Sequence, residues 1–305
     1  MKKTVVILLS DKRSGSTMFE RELCKHSAIQ NVAYCPHTFN ETHHWLKGAV
    51  ITEIPGTLFA GEEVYRNYGS KHNARAYLED GIKGNVPDFA LPEDAKQLVF
   101  RGWDALCEKY AQPVFFEKSP QHLAHWAALS LMLEWAQQCD CQVKFIGLVR
   151  NPLGVMYSAQ QLFGTNPETR QYGWLNIQKN LLAFRQMLDP GQYHEVGYEA
   201  LTEHPVEEFT KVCQFIGIDY EPAIGASVHG NSLKKAIEDP AFGLQLATPV
   251  RQIAKQFGFR DEDLRNDTFD PDWAQQHVGP SAFAQLLQRL RNRVLKPIKL
   301  KYFSR

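Results

Sequence analysis

No stretch of this 305-residue chain approaches the ~18 consecutive apolar residues that a membrane-spanning helix requires. Met1-Lys2-Lys3 ahead of Val5–Leu9 resembles the start of a signal peptide, but the apolar run is too short. Asp11-Lys12-Arg13 then follows with no small-residue cleavage site, so no leader is expected. Cysteine is sparse, six in all, which excludes a disulfide framework. Cys139-Asp140-Cys141 is the one close pair and has no neighbouring His or second pair, so all six are expected as reduced thiols. Charge of one sign is not in excess either, with 34 basic against 34 acidic residues. No nucleic-acid partner is expected. No Pro/Gly/Ser-rich linker, charge block or repeat divides the chain, so 1–305 reads as one domain. The stretch Gln285–Arg305 departs from the balance: it holds seven Lys/Arg and no acid, leaving the remainder at −7. Such a tail can touch an anionic membrane, although a solvated last helix ending near Pro297 accounts for it more simply.

What the chain does have begins at Thr4–Thr17, TVVILLSDKRSGST. Val5–Leu9 is the pattern of a fully buried strand, a polar loop with Gly15 follows, and a helix is expected from Ser16 to about His26. A strand, a tight glycine loop and a helix N-terminus form an anion cradle, because exposed backbone N–H groups and the helix dipole both favour negative charge. Lys12, Arg13, Ser14, Ser16 and Thr17 add donors to it. The nucleotide triphosphatase P-loop, G-x-x-x-x-G-K-[ST], does not fit, since Ser10 and Ser16 stand at its first Gly and its Lys.

Residues 143–158, VKFIGLVRNPLGVMYS, repeat the theme. Val143–Val149 reads as a buried strand, with Asn151 as N-cap and Pro152 at the first helical position. Arg150 therefore lies at a strand's carboxyl end, where ligands collect in open α/β sheets. Strands are expected at 4–10, 32–35, 113–117, 143–149 and 193–198. Helices are expected at 16–26, 120–138 (opened by Ser119-Pro120), 152–162, 174–188 and 205–216, with a mixed helical region from about 38 to 110. This alternation predicts an α/β fold, a parallel β-sheet flanked by helices on both faces. The excursions 43–112 and 218–280 lack clean periodicity and are expected to wall the acceptor site.

These motifs resemble those of the sulfotransferases that use 3′-phosphoadenosine 5′-phosphosulfate (PAPS). Arg13–Thr17 is similar to their 5′-phosphosulfate loop, K/R-S-G-[ST]-T. Arg150, Pro152 and Ser158 are similar to their 3′-phosphate motif. Glu117-Lys118-Ser119-Pro120 is similar to their E-K-[ST]-P segment, whose lysine is associated with the transferred sulfuryl group. Val196–Leu201 resembles a Y-E-D-L segment that includes Tyr198, with Ala200 in place of the Asp. His229–Lys234 resembles, in compressed form, a bacterial H-x-x-G-N-x-[ML]-R motif and implies Asn231 and Lys234 as further nucleotide contacts. The resemblance implies a P-loop-like sulfotransferase fold, PAPS as co-substrate and 3′,5′-ADP as product. Members of the animal secretory pathway carry a membrane anchor; with none legible here, a cytoplasmic enzyme or an excised domain is expected.

Sulfuryl transfer builds negative charge on the bridging oxygen of the leaving nucleotide, which Arg13, the loop N–H groups and Lys118 would meet. The transferred group is a monoanion, so a magnesium clamp is less needed; no metal-ligand spacing stands out, and no metal is expected. A base must take the acceptor's proton. Where many members have Glu near position 36 or 37, this chain has Pro36 and His37, leaving His37, Glu41, His43 or His122. Glu41 has another explanation, because Thr38-x-x-Glu41 has the form of a capping box opening the next helix. The acceptor, whether small molecule, carbohydrate, lipid or peptide, is not legible. A P-loop relative acting as a kinase or as a non-catalytic 3′,5′-ADP binder is the alternative.

Overall fold

The computed structural model describes residues 3–37, 39–54, 70–228 and 232–267. Five strands are present among them: β1 Thr4–Ser10, β2 Ile29–Gln30, β3 Val114–Lys118, β4 Gln142–Val149 and β5 Tyr193–Gly197. They pair in parallel throughout, in the order β2-β3-β1-β4-β5. β1 is buried along its whole length, as its unbroken apolar run requires. Side chains alternate across a strand, so Val5, Ile7 and Leu9 enter one core and Val6 and Leu8 the other.

The helices are α1 Ser16–Leu23, α2 His44–Ile51, α3 Lys71–Asn85, α4 Ala95–Tyr110, α5 Trp126–Ala136, α6 Pro152–Phe163, α7 Pro167–Arg185, α8 Tyr198–Glu203, α9 Pro205–Ile216, α10 Ser232–Glu238 and α11 Thr248–Lys255. Residues of α2–α5 and α7 cover the Val5/Ile7/Leu9 face. Its centre is an aromatic cluster in which the Trp45 ring lies 5.1 Å from Trp103 and 5.6 Å from Trp135. The described parts of the excursion 43–112 are thus also a core layer. Residues of α1, α8 and α9 cover the other face through Phe19, Leu201 and Phe209. A third apolar cluster joins α6, α7, α10 and α11 around Trp174 and Val250.

Four expectations need correction. The second strand is Ile29–Gln30, not 32–35; Ala33 and Tyr34 instead bond to Tyr110 and Asn85 side chains. The helix expected from 120 starts at Trp126, because the Ser119 hydroxyl is diverted from capping: it donates to Glu117 and accepts from the His43 N–H. The helix expected at 174 starts at Pro167, where Asn166 accepts from the N–H groups of Glu168 and Thr169. Tyr198 opens the short helix α8 instead of ending β5. Asn151 does cap α6, accepting from the Leu153 N–H.

Gly147 on β4 packs under Tyr193 of β5, and a Cβ there would lie 2.1 Å from the tyrosine hydroxyl. That hydroxyl donates to Glu195, itself paired with Arg185, so the ring has little room to yield. Gly147→Ala should cost about 1–3 kcal/mol, seen as a lower urea midpoint with an unchanged m-value.

Candidate functional site

The carboxyl ends of β1, β3 and β4 converge on the loop Asp11–Gly15. Gly15 takes φ +94° at the N-cap of α1, and a Cβ there would come within 2.4 Å of the Tyr198 ring. Glycine is therefore required twice over, for the left-handed turn and for the close approach. Arg13 also has positive φ, 72°. The loop is tied down from outside, because the Arg170 guanidinium of α7 pairs with buried Asp11. Ser14 and Ser16 are buried at the helix start, while Thr17 is exposed.

Arg150 leaves the end of β4 almost wholly buried, 3% exposed. One terminal nitrogen donates to the Arg13 carbonyl at 2.7 Å, and the guanidinium lies 4.4 Å over the Tyr198 ring. Its Nε and other terminal nitrogen rest against Gly154, where a Cβ would stand 3.1 Å from each. Among the described residues neither nitrogen has a hydrogen-bond partner, and the buried hydroxyls of Ser10 and Ser14 have none either. Burial pushes the Arg150 pKa down, against the pull of Tyr198 and Glu199. The Arg13 Nε donates to Ser158 Oγ at 3.0 Å, and its guanidinium lies 5.8 Å from the Phe163 ring. Arg13, Arg150, Ser158, Gly15 and Tyr198, widely separated in sequence, thus form one cationic corner.

A second group of charges lies at the end of β3. The Lys118 ammonium, 1% exposed, reaches Glu20 Oε2 at 3.1 Å, Glu41 Oε1 at 3.2 Å and the Phe39 carbonyl at 3.4 Å. The other Glu41 oxygen meets His43 Nε2 at 3.2 Å and Gln121 Nε2 at 3.1 Å, with His37 Nδ1 at 3.7 Å. Burial would raise Glu41, but the His43 hydrogen bond, Lys118 and Gln121 together bring it down to about 2. For Glu20 burial prevails over Lys118, and its pKa rises. Burial also lowers the His37 pKa, helped by His43, whose ring lies 4.7 Å away, and opposed by Glu41; the net shift favours the neutral imidazole. Exposed Lys12 adds its charge near Glu41 and Asp11.

Glu41 is no capping-box residue, because α2 begins at His44 after His43 in a left-handed conformation; Thr38 lies outside the described residues. The loop is fixed to β3 instead, by Thr42 donating to Glu117 at 2.8 Å and by the His43 N–H on Ser119. His122 is buried beside Glu117, 3.6 Å from its carboxylate. Lys234 is exposed on α10 and pairs with Glu238 at 3.7 Å; Asn231 lies outside the described residues, as does the basic tail. Sequence reading missed Glu20, Gln121 and Arg170. Nothing local marks them, since Gln121 lies 80 residues from Glu41 and Arg170 lies 159 from Asp11, and Glu20 is as remote from Lys118.

A family model described as the sulfotransferase family matches residues 6–222. Among solved structures, the sulfotransferase domain from the Synechococcus PCC 7002 olefin synthase is 22% identical with a TM-score of 0.55, covering 85% of this chain and 96% of its own. The sulfotransferase domain from the curacin biosynthetic pathway is 21% identical with a TM-score of 0.51, covering 85% of this chain and 99% of its own. At these identities the likeness is one of fold. No curated protein matches the chain. Among the described residues no helix is long and apolar enough to cross a membrane.

Lys118 is the cation between two buried carboxylates, so removing it strands both. Lys118→Met should lower stability by about 3–5 kcal/mol in chemical denaturation. Adding Glu20→Gln should recover part of that loss; an unchanged loss would show that Glu20 is not held by the ammonium.

Proposed function

The chain belongs to the sulfotransferase family, and on that footing we propose that it transfers a sulfuryl group from PAPS to a hydroxyl or amine of an acceptor, in line. The observation that carries this reading is the pair of buried guanidinium nitrogens on Arg150 that, like the Ser10 and Ser14 hydroxyls, have no partner among the described residues. Buried donors without acceptors are costly, and a polyanionic ligand would satisfy them. The residues therefore fit PAPS, which supplies the activated sulfuryl group.

In this reading Arg150 and Ser158 hold the 3′-phosphate, and Arg13, whose Nε donates to Ser158, reaches from there towards the 5′-phosphosulfate and its leaving oxygen. The start of α1, with Ser14, Gly15, Ser16 and Thr17, holds the 5′-phosphosulfate through N–H groups and the helix dipole. Lys12 and Lys118 supply positive charge where the leaving oxygen becomes negative. Asn231 and Lys234 remain proposed nucleotide contacts by family resemblance. His37 is the base: it is half-buried with its neutral form favoured, and the imidazolium formed on taking a proton has the Glu41 carboxylate 3.7 Å away. Glu41 itself, held at about 2 and engaged by Lys118, His43 and Gln121, has little affinity for a proton at neutral pH. Its part is to position the histidines and Lys118. Segments 43–112 and 218–280 would wall the acceptor. Six free thiols suit a reducing compartment, in keeping with a cytoplasmic location.

Nucleotide selectivity tests the donor. 3′,5′-ADP should raise the melting temperature well above the effect of 5′-ADP, because a charge-assisted contact is worth about 1.5–3 kcal/mol and its loss weakens binding at least tenfold. Arg150→Ala should abolish the difference; equal shifts in the unaltered protein would remove the 3′-phosphate assignment.

Steady-state kinetics with PAPS test the base, once an acceptor has been found by searching cell extract for products carrying one added sulfuryl group. His37→Asn should lower kcat by about 10²–10⁴-fold with 3′,5′-ADP affinity little changed. Glu41→Gln should lower it less. The opposite ranking would move the base to the carboxylate.

A further inference from the structure

Although no metal was expected from sequence spacing, folding brings three donor groups of His37, Glu41 and His43 together, with ligand atoms all within 4.8 Å of one another. We propose that this cluster is a binding site for a divalent transition-metal ion of the zinc class, held by His37 Nδ1, His43 Nε2 and Glu41 Oε2.

Two imidazoles and one carboxylate make a donor set that suits Zn²⁺, Co²⁺, Ni²⁺ or Cu²⁺ and leaves Mg²⁺ and Ca²⁺, which prefer oxygen, poorly served. Three protein ligands also leave a coordination position for water. On binding, the ion replaces the proton that His43 Nε2 shares with Glu41 Oε2 at 3.2 Å and displaces the Phe39 N–H from His37 Nδ1 at 3.4 Å. The donors are already oriented. The His43 N–H bonds Ser119, the His43 ring stacks 6.1 Å from Tyr77, and Gln121 holds the ligating Glu41 oxygen. Supporting contacts of this kind fix ligand geometry in metal sites. His37 is the accessible member, so the ion has a way in.

Lys118 on the far Glu41 oxygen and Lys12 nearby repel a dication, while Glu20 and Glu117 offset them in part. The balance points to micromolar affinity and a reversible site. An ion bound there takes the imidazole that would accept the acceptor's proton, so it inhibits turnover. That consequence rests on the reading of His37 as base, whereas binding of the ion does not.

The test uses the full chain, freed of metal by chelation, titrated with Zn²⁺ by calorimetry and with Co²⁺ by visible absorption. One Zn²⁺ per chain at micromolar Kd, Co²⁺ bands of low coordination number, and no response to Mg²⁺ are expected. Removing a ligand should cost more than the roughly 10–100-fold lost with a supporting contact, so His37→Asn and His43→Asn should each weaken Zn²⁺ by at least that much. The His37 variant changes a half-buried residue and guards against misfolding of the buried His43 variant, and thermal melts check both. No binding below millimolar Zn²⁺, or affinity unchanged in both variants, overturns the site. Zn²⁺ binding with full turnover would retain the site and remove His37 as base.

Discussion

The buried Lys118 ammonium holds the candidate site together. It is anchored on β3 and reaches a carboxylate from α1 and another from the loop before α2, so three chain segments meet at one charge. Burying an ammonium costs several kcal/mol unless partners replace its hydration. Here two carboxylates and a carbonyl do so, and the segments that bear them are held at hydrogen-bond distance as a result. The glycine loop inherits its position from this arrangement, because α1 carries Glu20 five residues after Gly15.

Electrostatically the strand ends fall into two halves. Arg13 and Arg150 present positive charge, and two Arg150 nitrogens have no acceptor among the described residues, as suits an anion receptor. The Lys118 half is saturated: carboxylates, imidazoles and ammonium are matched to one another. The first half thus faces an anion with its cations, while in the second the charges at rest are matched to one another. Tyr198 lies at the seam of the anion half, one ring filling the space over Gly15 and backing Arg150.

Much of the scaffold was legible because its signals are local. Apolar runs mark β1 and β4, and Asn151-Pro152 marks the start of α6. The start of α7 was equally well marked by Asn166-Pro167, yet the reading followed the later apolar residues and began at 174. Ser119-Pro120 misled for a physical reason: a hydroxyl that could cap a helix found stronger partners in a buried carboxylate and a distant backbone N–H. The loop Arg13–Thr17 could be read as an anion cradle, but not the turn of Arg13 towards Ser158. The meeting of Glu20, Glu41 and Lys118 had no sequence signature, since ion pairs across the sheet obey no periodicity.

The strand order bears on how the chain is made. β1 is synthesised first yet lies at the middle of the sheet, and its Thr4 pairs with Val114 and Gln142. At roughly 5–20 residues per second, the nascent chain carries this apolar segment for many seconds before either neighbour leaves the ribosome. During that interval an unpaired hydrophobic edge is open to wrong partners, the exposure for which chaperones exist. A strand buried along its whole length in the finished protein is thus a vulnerable one during biosynthesis.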